Sequence, residues 1–232
     1  MCNSSEGFYH AHCGIRQAMS TEDMQLELVN IARWPLSLES AFDEAAATPF
    51  ILKLVISAEE DGCDATVIDC AADPVLRTAR EVSEIPVVSA GEAGYHAAMM
   101  VCDRFSVITV MSAIAHLICE NIRKFGFESR VASIRAADIP VLALENEEKA
   151  FQAIFSAAEK AMNLDGAEAV VLGCTGMMAL RSRLQTALGV PVIEPLTMAV
   201  KYARVLVEAG LRPSRVSYPV PAEASVQFIR SL

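Results

Sequence analysis

Two cysteines carry the chemistry that this sequence can offer. Residues 61–70 read DGCDATVIDC and residues 165–174 read DGAEAVVLGC, so Cys70 and Cys174 occupy the same offset in an internal repeat. An acidic residue matches in each copy (Asp64, Glu168). Leu-Arg follows each cysteine at one distance (Leu76-Arg77, Leu180-Arg181), and each copy then reaches a Pro-centred apolar run, from Ile85 and from Val190. A lone buried cysteine is usually a small hydrophobe. A thiol delivered once per half of a duplicated chain instead points to two thiols facing each other across a pseudo-twofold cleft. Such a pair suits 1,1-proton transfer, in which one group takes a proton from one face of a carbon and the other returns it to the opposite face. A thiol at a strand end that meets a helix start sees free backbone N–H groups and the positive end of the helix dipole. These favour the thiolate of a group that ionises near 8.5 when unperturbed, and a thiol near neutrality serves as base or acid. The same N–H groups can hold a carboxylate or an enolate oxygen.

Other reactive side chains read more plainly. Cys63, Cys102 and Cys119 fall among Ala, Val and Ile and read as core, and Cys2 and Cys13 as incidental. No cysteine lies in a C-x-x-C and the four histidines are scattered, so no metal site is expected. His96 and His116 read as core or interface histidines. Asp73-Pro74 reads as an N-cap followed by proline at the first helical position. In SAGEAG (Ser89–Gly94) the glycines permit a tight strand-to-helix turn. Glu92 there is either a first-turn charge that suits the dipole or a ligand-facing acid.

The elements that must position the thiols follow from the hydrophobic pattern. Short Val/Ile-rich runs predict strands at Gln25–Asn30, Ala65–Cys70, Val87–Ser89, Phe105–Val110, Ser129–Ser133, Ala169–Gly173 and Val192–Glu194. Helical periods predict helices at Ser40–Asp61, Pro74–Glu84, Gly94–Cys102, Ala113–Phe125, Asn146–Leu164, Ala179–Leu188 and Thr197–Ala209. Strand-helix alternation implies an α/β fold with parallel sheets, in which ligands bind beyond the carboxyl ends of the strands. The duplication implies two lobes: residues 1–93 plus 200–232 carrying Cys70, and residues 94–199 carrying Cys174.

Composition bounds the rest. The chain has 232 residues, 53% of them hydrophobic, and a net charge of −10. Basic residues form no stripe, which excludes nucleic acid as an expected partner. Apolar runs are too short to span a bilayer, the N-terminus shows no signal core, and seven cysteines without a secretion signal argue against a disulfide framework. The expectation is a cytoplasmic protein with a small-molecule substrate.

Longer stretches, VIDCAADPVLRTAREVSEIPVVSAGEA, FSVITVM, ESRVASIRAADIPVLAL and AVVLGCTGM, resemble the hydantoin/allantoin racemases of the aspartate/glutamate racemase superfamily. The resemblance runs from about Pro35 to Tyr218. Its first cysteine motif, C-x-x-D-P, is met by Cys70, Asp73 and Pro74, and its second, L-G-C-[AT]-G-M, by Leu172 to Met177. The resemblance implies two pseudo-symmetric flavodoxin-like lobes with the active site in the cleft between them, cofactor-independent racemisation by Cys70 and Cys174, and a homo-oligomer. Substrate contacts are then expected from Asn3, Ser4, Ser5, Ala71, Glu92, Thr109, Thr175 and Gly176, with Thr175 and Gly176 holding a ring carbonyl. The family opens on a strand leading into an Asn-Pro-Asn-Thr/Ser turn. Here the sequence starts MCNSSE, so Asn3, Ser4 and Ser5 stand as the remnant of that turn and the first strand of the first lobe is expected to be missing.

The expected reaction is racemisation at C5 of a 5-substituted hydantoin or of allantoin. Alternatives on the same fold are another superfamily activity, such as maleate cis-trans isomerisation or Asp/Glu racemisation. A ligand-binding protein without activity is the reading outside enzymology.

Overall fold

The computed structural model describes residues 13–31 and 37–232. Asn3, Ser4 and Ser5, and any strand before them, lie outside the described residues. The first long helix, α1 (Ala41–Glu60), starts at Ser40. The Ser40 hydroxyl accepts the Asp43 N–H at 3.1 Å, satisfying one of the free donors of the first turn. Strand β1 (Thr66–Ile68), helix α2 (Leu76–Val82) and strand β2 (Val87–Ser89) follow, and β1 and β2 pair in parallel with Ile68 beside Ser89. Helix α3 (Ala90–Met99) springs directly from the end of β2.

A four-stranded parallel sheet comes next, ordered β4-β3-β5-β6, from β3 (Phe105–Thr109), β4 (Val131–Ala136), β5 (Ala169–Leu172) and β6 (Val192–Ile193). Its connecting helices are α4 (Ala115–Phe125), α5 (Glu147–Asp165) and α6 (Arg181–Leu188). The inner strands β3 and β5 are buried at every residue, as the unbroken apolar runs FSVIT and AVVL require of strands covered on both faces. Ile108 and Leu172 face α5, which turns Ala150, Phe151, Ile154, Ala157, Ala158 and Ala161 inward as its period predicts. Phe105, Val107 and Val171 face the opposite side, against Tyr95 of α3 and Ile118 and Ile122 of α4.

The last helices tie the ends of the chain to its first part. Helix α7 (Pro195–Glu208) packs on α3, β1 and β2. Beyond it, Arg215 donates to the carbonyls of Arg80, Glu81 and Ser83 at the end of α2, where unpaired carbonyls need donors. Helix α8 (Glu223–Arg230) packs on α1, with Arg230 bonded to Glu60 at 2.8 Å.

Some sequence expectations change. Gln25–Asn30 joins no sheet; Leu26 packs instead on Met178, Leu196 and Val200, so its apolar side is covered without a partner strand. Strand β4 runs over 131–136 rather than 129–133, because Glu128–Arg130 closes a 3-10 turn first. Helix α3 begins at Ala90, four residues before the expected start. His96 and His116 are exposed rather than core, His96 lying edge-on to the Phe127 ring.

Candidate active site

Cys174 lies at the carboxyl end of β5. The N–H of Gly173 donates to the Ile108 carbonyl at 2.7 Å, and a side chain at Gly173 would stand 3.0 Å from both that oxygen and the Thr109 Cα. Glycine therefore lets the β5 end close on β3. Cys174 is extended (φ −151°, ψ 130°) and caps a 3-10 helix, Thr175–Leu180, that continues into α6. Its half-buried thiol thus stands at a helix start, where the first backbone N–H groups have no partner within the helix.

Cys70 lies two residues beyond β1 and is also half-buried, but no helix begins there. A turn intervenes in which two non-glycine residues, Asp73 (φ +52°) and Val75 (φ +53°), are left-handed. Val75, not Asp73, precedes α2, and it has no side-chain cap. The expectation that Asp73 caps that helix is corrected: its carboxylate accepts the Gly91 N–H of α3 at 2.7 Å. A Cβ at Gly91 would meet the Ala71 carbonyl oxygen at 2.3 Å and Asp73 Oδ2 at 2.4 Å, so glycine admits the turn onto α3. Asn121 of α4 donates to the Ala72 carbonyl, and the Ser89 hydroxyl approaches the Cys70 carbonyl at 3.5 Å. Burial pushes the Asp73 carboxyl up to about 7, and the charge of Glu92 adds to the rise. Burial also raises the Tyr95 phenol well above its usual range, with the charges of Asp73 and Cys70 contributing.

The two cysteine-bearing ends approach each other through their neighbours. The side chain of Thr175, next to Cys174, lies close enough to Asp69, next to Cys70, to help lower that carboxyl. Asp69 also pairs with Arg16 at 2.6 Å, and the Arg16 side chain is 2% exposed. Burial would raise the Asp69 carboxyl, but the Arg16 charge and hydrogen bonds hold it below the usual range, with a smaller contribution from the Thr175 side chain. Glu194, at the end of β6, is bound by the N–H groups of Leu196 and Thr197 and by the Thr197 hydroxyl. Burial raises it, and the charge of Asp69 contributes.

The expected contact residues distribute around this junction. Ala71 is buried in the Cys70 turn, Thr175 is buried, and Gly176 half-buried, just after Cys174. Thr109, at the end of β3, is fully buried, and its hydroxyl has no hydrogen-bond partner among the described residues. Glu92 is engaged by Arg80 at 3.2 Å and through a second, shorter bond, and Tyr218 also bonds that arginine. Asn3, Ser4 and Ser5 are outside the described residues. Sequence reasoning missed Arg16, Asp69, Tyr95, Asn121 and Glu194. Asp69 alone left a signal, a charge inside the apolar run TVIDC that demands a partner once buried. Among the described residues, no group of three His, Cys, Asp or Glu side chains is placed to hold a metal ion. No described helix is long and apolar enough to cross a membrane.

The parallel α/β sheets match those of a solved racemase, which places the chain in that class of isomerase. The chain belongs to the Asp/Glu/Hydantoin racemase family, whose family model matches residues 2–203. It is 43% identical over 184 residues to the hydantoin racemase of Rhizobium meliloti, covering 79% of this chain and 76% of that protein. It is 35% identical over 224 residues to the hydantoin racemase of Paenarthrobacter aurescens, covering 95% of each. Among solved structures, the allantoin racemase from Klebsiella pneumoniae superposes with a TM-score of 0.89 at 33% identity, over 95% of this chain and 91% of that one. A glutamate racemase from Bacillus anthracis, at 20% identity and a TM-score of 0.60, shares the fold.

Proposed function

We propose that this racemase inverts C5 of a 5-substituted hydantoin or of allantoin by transferring a proton between Cys70 and Cys174, without a cofactor. The observation that supports the reading is the closeness of Thr175, next to Cys174, to Asp69, next to Cys70, seen in the lowering of the Asp69 carboxyl by the Thr175 side chain. In one direction the thiolate of one cysteine takes the C5 proton and becomes a thiol. The electron pair left on C5 delocalises onto the ring carbonyl as an enolate. The thiol of the other cysteine then gives its proton to the opposite face and becomes the thiolate, so the enzyme is reset by running in reverse or by exchange with water. Backbone N–H groups at the start of Thr175–Leu180 hold the enolate oxygen, with Gly176 and the buried hydroxyl of Thr109 as further contacts.

The relatives named hydantoin and allantoin racemase support the substrate class. We read the fold as two lobes, residues 1–93 plus 200–232 and residues 94–199, with the substrate between them. The packing of α8 on α1 supports that division. Cysteines that form no disulfide among the described residues suit a reducing, cytoplasmic setting. Exposed apolar side chains such as Met100, Leu164 and Val216 suit burial in a homo-oligomer.

Proton NMR in D₂O tests the reading, with one enantiomer of a 5-monosubstituted hydantoin, and allantoin in a second tube. Loss of the C5 proton together with decay of optical rotation is the expected result. A folded protein that exchanges neither substrate would remove it.

A further inference from the structure

Residues 16–26 lie across the carboxyl ends of parallel strands and are fastened there by side chains. Arg16 bonds Asp69, the residue that follows β1, through Nε at 2.6 Å and Nη2 at 3.3 Å. Met19, Met24 and Leu26 pack on the cluster of Met178, Leu196 and Val200. Met178 belongs to the helical turn after Cys174 and β5, and Leu196 and Val200 to α7, which follows β6. The Thr197 hydroxyl reaches the Met19 sulfur at 3.9 Å, and Asp23 pairs with Arg204 further along α7. The segment thus touches the ends of both repeats, on the side where open α/β sheets bind their ligands.

Its own bonds close it into a compact loop. The Gln17 amide donates to the Leu26 carbonyl at 3.2 Å, and the Leu26 N–H donates to the Ser20 hydroxyl at 3.2 Å. Thr21 and Met24 exchange backbone bonds at 2.8 and 3.3 Å. A loop closed on itself keeps these bonds when it shifts as a body. Its apolar seat suits such a shift, because methionine packs adaptably and without directional demand. Its polar fastenings are two ion pairs of opposite sense, arginine on the loop in the first and aspartate on the loop in the second. The first is buried, with side chains 2% and 10% exposed, and the second is exposed. When the loop lifts, water replaces each partner, and the hydration lost in burying the first pair is regained.

We propose that residues 16–26 form a lid over the junction of the two thiol-bearing strand ends, latched by Arg16 on Asp69 and lifting as one body. That the lid admits substrate rests on the reading of this junction as the active site. The Arg16–Asp69 pair is the main latch, because losing one partner with the lid down leaves a buried charge. The exposed Asp23–Arg204 pair adds less.

Oxidation of methionine by hydrogen peroxide tests the lid, with each residue resolved by peptide fragmentation, in the full-length protein without substrate. Met178 lies under the lid, while the adjacent Met177, 0% exposed, packs into the cluster around α5. Met177 therefore reports unfolding and Met178 reports lid opening. In the wild type Met178 should oxidise faster than Met177. Arg16→Ala should raise the Met178 rate about tenfold or more, with Met177 remaining the slower. Arg16→Lys, which keeps the charge but not the fork, should fall between that variant and the wild type. Asp23→Ala should raise the rate by about fivefold or less. An unchanged Met178 rate in Arg16→Ala, or a Met177 rate that rises to match it, overturns the proposal. Should Arg16→Ala fail to fold, Arg16→Lys decides by the same readout. In the wild type, racemic 5-methylhydantoin, or allantoin in a second sample, should slow Met178 oxidation by holding the lid down. If neither slows it while Arg16→Ala behaves as expected, the latch stands and the hydantoin reading falls.

Discussion

The two copies of the repeat place their cysteines alike and surround them differently. Cys174 leaves an inner strand of a four-stranded sheet and itself caps the following helical turn, so free N–H groups stand beside it. Cys70 leaves a strand of a two-stranded sheet among the described residues and enters a turn with left-handed Asp73 and Val75, and the helix begins only at Leu76. A buried carboxyl, Asp73, stands in that turn where the Cys174 copy has a helix start. Duplication has kept the offset of the thiol and let the local electrostatics diverge. A symmetric reaction does not need symmetric surroundings: two thiols used in turn as acid and base need only opposed positions and suitable ionisation.

The largest expected effect treats the copies as equals. Cys70→Ser and Cys174→Ser should each lower racemisation by about a thousandfold or more, since the proposed scheme makes each a proton carrier. The polarimetric rate with each enantiomer checks this, and full activity in either variant would break the pairing. Next comes the buried ion pair beside Cys70. Arg16→Ala strands a buried Asp69 charge and should cost about 3 kcal/mol in urea denaturation at neutral pH. Because the Asp69 carboxyl is held below its usual range, that stability is present above an unfolded value of about 3.9 and drains as pH falls through the lower folded value. The variant's deficit should therefore shrink in acid, and a deficit independent of pH would show that the pair does not act through charge.

Two glycine substitutions then sharpen the contrast. Gly91→Ala drives a Cβ into the Ala71 carbonyl and the Asp73 carboxylate and should cost about 2 kcal/mol. Gly173→Ala meets its neighbours only at 3.0 Å and should cost less. Melting temperatures of the pair check the order, and the reverse order would mean that the Cys70 turn is the more yielding. The smallest effect on stability is expected from Thr109→Val, which removes a buried hydroxyl that has no partner among the described residues. Stability should change by about 0.5 kcal/mol or less, while KM rises if that hydroxyl meets the substrate; an unchanged KM would remove Thr109 from the site.

Much of the Cys174 half was legible in the sequence, because its determinants are local. AVVLGC reads as a buried strand with a glycine at its end, and the period after it reads as a helix. The Cys70 half was only partly legible. A left-handed valine has no sequence signal, since β-branched residues avoid that region, so Pro74 read as a helix start. The partners that explain Asp69 and Asp73 come from elsewhere in the chain, Arg16 lying 53 residues before Asp69 and Gly91 lying 18 after Asp73. Spacing predicts neighbours along a helix or strand, not closures of that kind. Gln25–Asn30 failed for a related reason: an alternating pattern says which side is covered, not whether a strand or a helix covers it.

Arg215 donates to carbonyls at the end of α2, reaching Ser83 across 132 residues of chain. On the ribosome this sets an order of assembly. The four strands of the larger sheet have all been made by Ile193, while the segment bearing Cys70 still lacks α7, Arg215 and α8. Of the two repeat cysteines, the one made first therefore waits for surroundings that lie more than a hundred residues further along the chain, well after its own synthesis.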